Sequence, residues 1–373
     1  MEKYLFQQPL LAKTNSLIYY LKEIDKNRYF SNFGPLYKKC KIKVEKYLGL
    51  KKNKIILTSS GHCSLLSICY LVKKKNPKKK YILVPSYSFQ SNPQSILQSG
   101  FEPLFIDINK SDLCIDYKQI NEAFKKHKNN IAAIMFVSPF GYPININYLN
   151  SLKKKYNTSI IYDAADTFLN FNKKTLDQSR ILIACSFHPT KTLPANESGM
   201  IIAPKKYSNY FESIVNFGFK DVSSKEVINQ GFNAKFSEYD AAIFMANFNN
   251  IKSIKREIKK KIKYIVKSLN NNKYIRFQHL FSKTWFSLKV LIVTNNVVNF
   301  SRLQNEIMTK YRIKIYKPWS IKPMHKHNFF KKFAKMSLNN TDYVEKRNFC
   351  IPFNLNFKKK ELDRITICIN NFF

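Results

Sequence analysis

The sequence predicts an α/β fold, in which helices flank a mainly parallel, mixed sheet and a smaller α+β domain follows at the C-terminus. Two features of the order of elements support this prediction. Through the first two thirds of the chain, short apolar runs alternate with amphipathic stretches, as they do where crossover helices join parallel strands. A long helical pattern from about Asn233 to Asn270 follows, and beyond it strands, helices and proline-containing segments come in a different order. With 373 residues and roughly 150 residues per domain, we expect two domains, over residues 1–245 and 246–373.

Seven apolar runs in the first part have the length and composition of buried strands, and helical patterns lie between most of them. The runs are Lys54 to Leu57, Tyr81 to Val84, Pro103 to Ile106, Ile131 to Val137, Ser159 to Tyr162, Arg180 to Ala184 and Gly199 to Ala203. Because a crossover helix returns the chain to the same edge, we expect these strands to be parallel. In the C-terminal part we expect a strand near Phe286 to Val293 and helices near Phe300 to Tyr311 and Lys358 to Asn371.

The composition indicates a globular chain without a membrane span. Hydrophobic residues make up 45% and charged residues 24%, which excludes intrinsic disorder, and no apolar run approaches the ~20 residues that cross a membrane. The first residues lack the apolar core and cleavage site of a signal peptide, so we expect a cytoplasmic protein. None of the seven cysteines forms a C-x-x-C pair, which argues against a zinc site and a disulfide framework.

Lysine dominates the charge. The 64 basic residues exceed the 24 acidic ones by 40, a surplus that would normally suggest nucleic acid or an anionic membrane as partner. Only eight of the basic residues are arginine, whose planar fork nucleic-acid surfaces favour alongside lysine. Abundant Lys, Asn, Ile, Phe and Tyr with few Gly and Ala are typical of an AT-rich genome. We therefore expect neither a specific nucleic-acid partner nor a membrane partner.

The turn around Gly61 has the features of a phosphate site. It follows the apolar run Ile55 to Leu57 and the hydroxyl-rich Thr58 to Ser60, and it precedes a helical pattern from Cys63 to Val72. Free backbone N–H groups and the positive end of the helix dipole would coincide there. The glycine spacing matches neither a P-loop nor a dinucleotide fingerprint, so an ordinary strand-to-helix turn is the alternative.

A carboxylate and an amine follow two later strands. Asp163 comes directly after the run Ser159 to Tyr162, and Lys191 comes soon after Cys185, in a segment stiffened by Pro189. In a parallel α/β sheet the carboxyl ends of the strands form the ligand crevice. The alternatives are that Asp163 caps a helix and that Lys191 is one more solvated lysine.

Together, a phosphate-binding turn, an acid at one strand end and a lysine at another are what pyridoxal phosphate requires. The lysine forms a Schiff base with the cofactor aldehyde. The aspartate pairs with the protonated pyridine nitrogen and keeps the ring an electron sink. The start of the helix holds the phosphate.

Motifs that resemble one known family follow each other almost from end to end. They are Tyr29 to Pro35, Ser59 to Leu65, Val84 to Phe89, Asp107-Ile108, Pro139 to Pro143, Asp163-Ala164-Ala165, Ser186 to Lys191, Gly199-Met200-Ile201, Gly231-Phe232-Asn233, Ile313 to His327 and Ile351-Pro352. In this order they resemble the DegT-type sugar aminotransferases, which are fold-type I pyridoxal phosphate enzymes that act on nucleotide-linked keto sugars. No single motif is decisive, but the ordered set is specific.

The resemblance implies a role for four residues around the cofactor ring. Lys191 would be the Schiff-base lysine and would afterwards move the proton between substrate and cofactor. Asp163 would hold the pyridine nitrogen. Phe89 would stack on one face of the ring, and Ala165 would lie against the other.

The resemblance also implies how the cofactor phosphate is held. The backbone amides of Gly61 and His62 and the hydroxyl of Ser186 would bind it within one subunit. Asn233 would reach it from the partner subunit, so the family pattern implies a homodimer with shared active sites.

This chain departs from the family pattern at three positions. His62 stands where a threonine is usual, so a small hydroxyl is lost and an imidazole that could bind phosphate is gained. Asp166 stands where the family has Gln or His that donates to the phenolate oxygen of the cofactor. An ionised Asp166 cannot donate and would repel that oxygen, so it is protonated, turns away or is separated from it by water. Lys235 replaces an arginine and loses its fork.

The resemblance implies a PLP-dependent aminotransferase that moves an amino group, from glutamate, to a nucleotide-linked keto sugar in surface polysaccharide or amino-sugar biosynthesis. A related sugar dehydration uses histidine in place of the lysine, so Lys191 weighs against that reaction. The departures at His62 and Asp166 leave an alternative open. It is a catalytically impaired or regulatory family member that binds cofactor or sugar without efficient transamination.

Overall fold

The structure is a computed structural model that describes residues 4–221, 223–269, 272–277, 285–319 and 322–373. Its larger sheet has seven strands in the order β1-β7-β6-β5-β4-β2-β3. These are β1 (Asn53–Thr58), β2 (Tyr81–Pro85), β3 (Glu102–Ile106), β4 (Ile131–Val137), β5 (Ser159–Asp163), β6 (Leu182–Ser186) and β7 (Gly199–Pro204). All seven predicted strand runs therefore form strands of one sheet, and the predicted α/β class is confirmed.

The predicted mixed, mainly parallel sheet is confirmed, and β7 is its antiparallel member. Strands β2 to β6 pair in parallel, but β7 runs antiparallel to both of its neighbours, β1 and β6. Residues 187–198, which join β6 to β7, contain turns but no helix. Without a crossover helix the chain returns in the opposite direction beside the strand it has just left. The sheet is thus mixed but mainly parallel.

Helices cover both faces of this sheet. Those of the first part are α1 (Thr14–Asn27), α2 (Pro35–Leu48), α3 (Gly61–Lys75), α4 (Ser91–Gln98), α5 (Tyr117–His127), α6 (Ile146–Tyr156), α7 (Lys173–Leu176) and α8 (Ser208–Ile214). Successive residues of β1 belong to different cores, since Ile55 and Leu57 pack into one hydrophobic cluster and Ile56 into another. A sheet that is buried on both faces explains why its strands are continuous apolar runs.

The long helical pattern after Asn233 forms two helices rather than one. They are α9 (Glu238–Phe248) and α10 (Ile251–Leu269), and Asn249 and Asn250 separate them. Asparagine competes with helical hydrogen bonding and favours helix ends, which accounts for the break. Asn270, the predicted end, lies outside the described residues. In α10 the buried isoleucines recur at helical spacing, which leaves the lysines on the solvated face.

A second, antiparallel sheet lies in the C-terminal part, in the order β10-β9-β8. Its strands are β8 (Ile275–Phe277), β9 (Val290–Thr294) and β10 (Asn348–Ile351), and its helices are α11 (Phe300–Tyr311), α12 (Asn339–Glu345) and α13 (Lys359–Phe372). The strand predicted near Phe286 begins later, at Val290, while the two predicted helices form where expected. The predicted boundary at 245/246 falls within α9, and the division into two domains stays a prediction.

Candidate active site

A cavity of about 510 Å³ opens at the carboxyl ends of the parallel strands. Eight of the nine residues predicted for the site line it: Gly61, His62, Phe89, Asp163, Ala165, Asp166, Ser186 and Lys191. Asp163 is the last residue of β5 and Ser186 the last of β6, and α3 begins at Gly61. The topology of the sheet therefore brings together groups that are far apart in the sequence.

The start of α3 forms the floor of the predicted phosphate site. Ser60 caps the helix, and its side chain accepts a hydrogen bond from the Cys63 backbone N–H at 3.0 Å. The first amides of a helix have no partner within it, so the N–H groups of Gly61 and His62 are available to an anion.

Two glycines allow this turn to lie against its neighbours. A Cβ added to Gly61 would be 2.7 Å from the Cβ of Ser186, and a Cβ on Gly199 would be 2.5 Å from the backbone carbonyl carbon of Ser60. Both distances are shorter than van der Waals contact allows. The glycines are thus needed for β6, β7 and the start of α3 to form one tight cradle, which has the chemistry of a phosphate site.

The imidazole of His62 is engaged outside this cradle. Its Nε2 lies 2.9 Å from the Oε1 of Gln98, at the end of α4. The replacement of threonine by histidine therefore leaves the backbone amide at position 62 in place while the side chain bonds to another element.

Asp163 is a buried carboxylate held by amide donors. Its Oδ2 accepts a hydrogen bond from Asn92 Nδ2 at 2.6 Å, and its Oδ1 accepts one from the Ala165 backbone N–H at 3.0 Å. Burial raises its pKa above the ordinary value. No ion pair holds it within the described ranges of the chain, so a protonated pyridine nitrogen would supply the missing positive charge.

Lys191 and a second lysine share the carboxylate of Asp166. Lys191 Nζ lies 3.2 Å from Asp166 Oδ2, and Lys289 Nζ lies 3.1 Å from the same oxygen. Burial alone would raise the pKa of Asp166, but the two ammonium groups lower it to about 2. Burial lowers the pKa of Lys191, and the charge of Lys289 lowers it further, while Asp166 opposes both effects. Asp166 is therefore ionised, and its ion-pair partners are Lys191 and Lys289.

The two residues predicted to contact the ring faces lie at the cavity. Phe89 is 43% exposed, so it does not belong to the hydrophobic core, and it lines the cavity. Ala165 is half-buried between Asp163 and Asp166 in the sequence and lines the same cavity.

Asn233 does not line this cavity. It is exposed and pairs through an isolated antiparallel bridge with Asn216, whose side-chain oxygen accepts a hydrogen bond from Lys235 Nζ at 3.2 Å. Its role from a partner subunit stays a prediction.

Sequence reasoning missed several residues of the cavity wall, among them Gln7, Ser91, Ser138, Glu197 and Lys289. Tyr316 and Trp319 also line it, within the C-terminal segment that the family resemblance singled out. Lys289 gave one weak signal, because it interrupts the apolar run from Trp285 to Val293. Gln7 gave none.

These residues fit pyridoxal phosphate. The turn before α3 offers backbone donors to a phosphate, a buried acid lacks a cation partner, and a lysine with a lowered pKa lies in the same cavity. Among the described residues no helix is long and apolar enough to cross a membrane.

Comparisons with known proteins identify the family. Residues 12–370 match the DegT/DnrJ/EryC1/StrS aminotransferase family. A dTDP-4-amino-4,6-dideoxy-D-glucose transaminase of Shigella dysenteriae is 31% identical over 259 residues, which are 69% of this chain and 68% of that protein.

Two solved structures share the fold. Helicobacter pylori PseC, an aminotransferase involved in the biosynthesis of pseudoaminic acid, superposes with a TM-score of 0.87 at 16% identity, over 100% of this chain and 99% of its own. NtdA from Bacillus subtilis, with the cofactor PMP bound, has a TM-score of 0.85 at 21% identity, over 96% and 81%. The chain belongs to the DegT/DnrJ/EryC1/StrS aminotransferase family, and its cofactor is pyridoxal phosphate.

Proposed function

We propose that this protein is an aminotransferase that moves an amino group, from glutamate, to a nucleotide-linked keto sugar. The observation that carries the proposal is the cavity in which Lys191, Asp163 and the phosphate turn at Gly61 meet. The sugar class is supported by the Shigella relative, which is named for a nucleotide-linked amino sugar. Glutamate as donor comes from the family resemblance.

The chemistry is divided between the cofactor and the chain. When bound, pyridoxal phosphate supplies an electron sink that stabilises negative charge on the substrate carbon. Asp163 keeps a proton on the ring nitrogen, because a buried carboxylate without a cation strongly favours a positive partner. Phe89 and Ala165, which both line the cavity, would hold the cofactor ring between them.

Lys191 is the residue that would move a proton between the substrate and the cofactor. Burial and the charge of Lys289 both lower the pKa of Lys191, so its Nζ gives up a proton more readily than a solvated lysine does. A free amine within the cavity serves first as nucleophile and then as the base that takes a proton from substrate and returns it. The alternative of an impaired family member is not favoured, since the similar proteins of Shigella dysenteriae and Escherichia coli are named as transaminases.

The proposal also covers the oligomeric state, the cellular location and the biosynthetic role of the protein. We propose a homodimer in which Asn233 reaches the partner's phosphate site, in a cytoplasmic enzyme of surface polysaccharide or amino-sugar biosynthesis. The dimer is supported by three large apolar side chains that are exposed close to Asn233 in the sequence, namely Phe217, Val227 and Ile228.

Removal of Lys191 tests the proposed reaction. We expect Lys191→Ala to lower transamination of dTDP-linked keto sugars by several powers of ten, because the covalent catalyst is lost. The visible absorbance of the loaded protein should vanish with it, whereas the circular dichroism spectrum should not change. Lys174→Ala, at an exposed lysine, is the matched control and should behave as wild type. Substantial turnover by pure Lys191→Ala protein would overturn the assignment.

A further inference from the structure

In this buried site, a single carboxylate oxygen, Oδ2 of Asp166, forms ion pairs with two lysines. The side chains of Asp166, Lys191 and Lys289 are only 10%, 15% and 12% exposed. Placing two ammonium groups on one oxygen costs free energy by mutual repulsion, and the cost is high away from water. An arrangement of this kind is relieved when one of the two lysines loses its proton.

Lys289 is held against Asp166 by the segment that carries it. Phe286 donates its backbone N–H to Asn170 Oδ1 at 2.7 Å, and Asn170 Nδ2 donates to the Phe286 carbonyl at 2.8 Å. This double hydrogen bond attaches the segment before β9 to the loop that follows Asp166. Closer to the lysine, its own N–H donates to Ser287 Oγ at 3.0 Å. Lys289 therefore approaches Asp166 from a fixed backbone.

Other charged and titratable groups surround the pair. Those that interact with Asp166, Lys191 or Lys289 are Asp163, His188, Tyr316 and Cys350. Burial lowers the pKa of His188, raises that of Tyr316 and raises that of Cys350 to about 12, so all three favour their neutral forms near neutrality. Glu197 also lines the cavity, and its Oε1 lies 3.3 Å from His188 Nε2. The charge balance of the site is thus set by three carboxylates and two lysines.

We propose that Lys289 is a positioning residue that acts through Asp166: it supplies the permanent counter-charge of that carboxylate and so releases Lys191 to become a free amine. The inference rests on the proposed function, in which Lys191 is the nucleophile. It also explains how an acid is tolerated at position 166, because the negative charge there keeps a partner after the charge of Lys191 has gone.

The proposed step is the loss of one proton by Lys191. The Lys191 ammonium gives one proton to solvent and becomes a free amine, which is the form that would react with the aldehyde of a bound cofactor. Asp166 and Lys289 form and break no covalent bond in this step, and the 3.1 Å ion pair between them stays in place. Without Lys289, Asp166 would bind the Lys191 ammonium alone and hold its proton.

The test measures Lys191 in the cofactor-free protein. Competitive labelling with acetic anhydride, read by peptide mass spectrometry from pH 6 to 11, gives the pH at which half of Lys191 is a free amine. We expect Lys289→Met to raise this midpoint by about one pH unit or more, which is about a tenfold loss of free amine near neutrality. Lys289→Arg keeps the charge and should leave the midpoint close to wild type. The double variant Lys289→Met with Asp166→Asn should lower it again.

An unchanged or lowered midpoint in Lys289→Met would overturn the proposal. A merely structural role would reduce stability without moving the midpoint, and thermal unfolding separates the two effects. If Lys289→Met does not fold, Lys289→Gln places a shorter, polar and uncharged side chain there and carries the same expectation. Turnover by wild type with an unmoved midpoint would reject the role of Lys289 alone, whereas a moved midpoint without turnover by wild type would reject the proposed function.

Discussion

At the scale of single residues, Asp166 shows what a pattern in sequence can and cannot reveal. The family resemblance identified the position and its unusual charge, and it left open whether the acid is protonated, turned away or separated by water. The structure adds Lys289, which is 123 residues away in the sequence and meets Asp166 only through the fold. Lys191 and Asp163 could be predicted because each stands in a local motif. Lys289 could not, since the one local signal it gives, a charge within an apolar run, does not identify Asp166 as its partner.

The acid titration of Asp166 should be visible in the stability of the cofactor-free protein. Its pKa falls from an ordinary 3.8 to about 2 in the folded chain. A depressed carboxylate pKa gives a stabilisation that is complete above about pH 4 and is lost as the pH falls towards 2, worth about 2 kcal/mol. Urea unfolding of wild type and Asp166→Asn should therefore differ by an amount that shrinks through this window. Parallel stability curves of the two proteins below pH 4 would contradict the assigned ion pairs.

At the scale of elements, runs of apolar residues were enough to locate all seven strands of the large sheet but not their directions. The reversal at β7 depends on the segment 187–198, whose lack of a helix decides the connection. The reversal matters for the site, because it brings Gly199 against the carbonyl of Ser60 at the phosphate turn. The single predicted helix after Asn233 is two helices because local hydrogen-bonding preference at Asn249 and Asn250 overrides the apolar period.

Gly199→Ala should damage the phosphate cradle more than the fold. The added Cβ would meet the backbone of Ser60 and Gly61, so the start of α3 must shift. We expect a loss of about 1–3 kcal/mol in unfolding free energy and at least a tenfold weaker affinity for pyridoxal phosphate, measured by equilibrium titration. Gly49→Ala is the control. It forces a side chain to a φ of 70° in open space, should cost about 1 kcal/mol and should leave cofactor affinity unchanged. Equal affinities of Gly199→Ala and Gly49→Ala for pyridoxal phosphate would contradict this prediction, because they would show that the start of α3 can shift without loss of the cofactor.

At the scale of the whole molecule, the cavity is built from both ends of the chain. Gln7 of the N-terminal arm accepts hydrogen bonds from Tyr316 Oη at 3.3 Å and from the Phe353 backbone N–H at 3.2 Å, and Leu5 forms a bridge with Ile313. Such contacts join residues more than 300 positions apart, so no local pattern predicts them. The net charge of +40 has no counterpart in the cavity, whose wall has three carboxylates and two lysines.

The proposed sharing of active sites between subunits can be decided by mixing two inactive variants. Lys191→Ala lacks the nucleophile, and Asn233→Asp places a negative charge where we expect the partner's phosphate, so each homodimer should be inactive or nearly so. In a heterodimer, one site combines both lesions and the other receives an intact Lys191 from one chain and an intact Asn233 from its partner. Because about half of randomly exchanged dimers are heterodimers with one intact site of two, activity should recover to about a quarter of wild type. If Asn233 serves the site of its own chain, every site in the mixture is damaged and no activity returns. Absence of recovery, with subunit exchange verified by native mass spectrometry, would therefore reject the shared site.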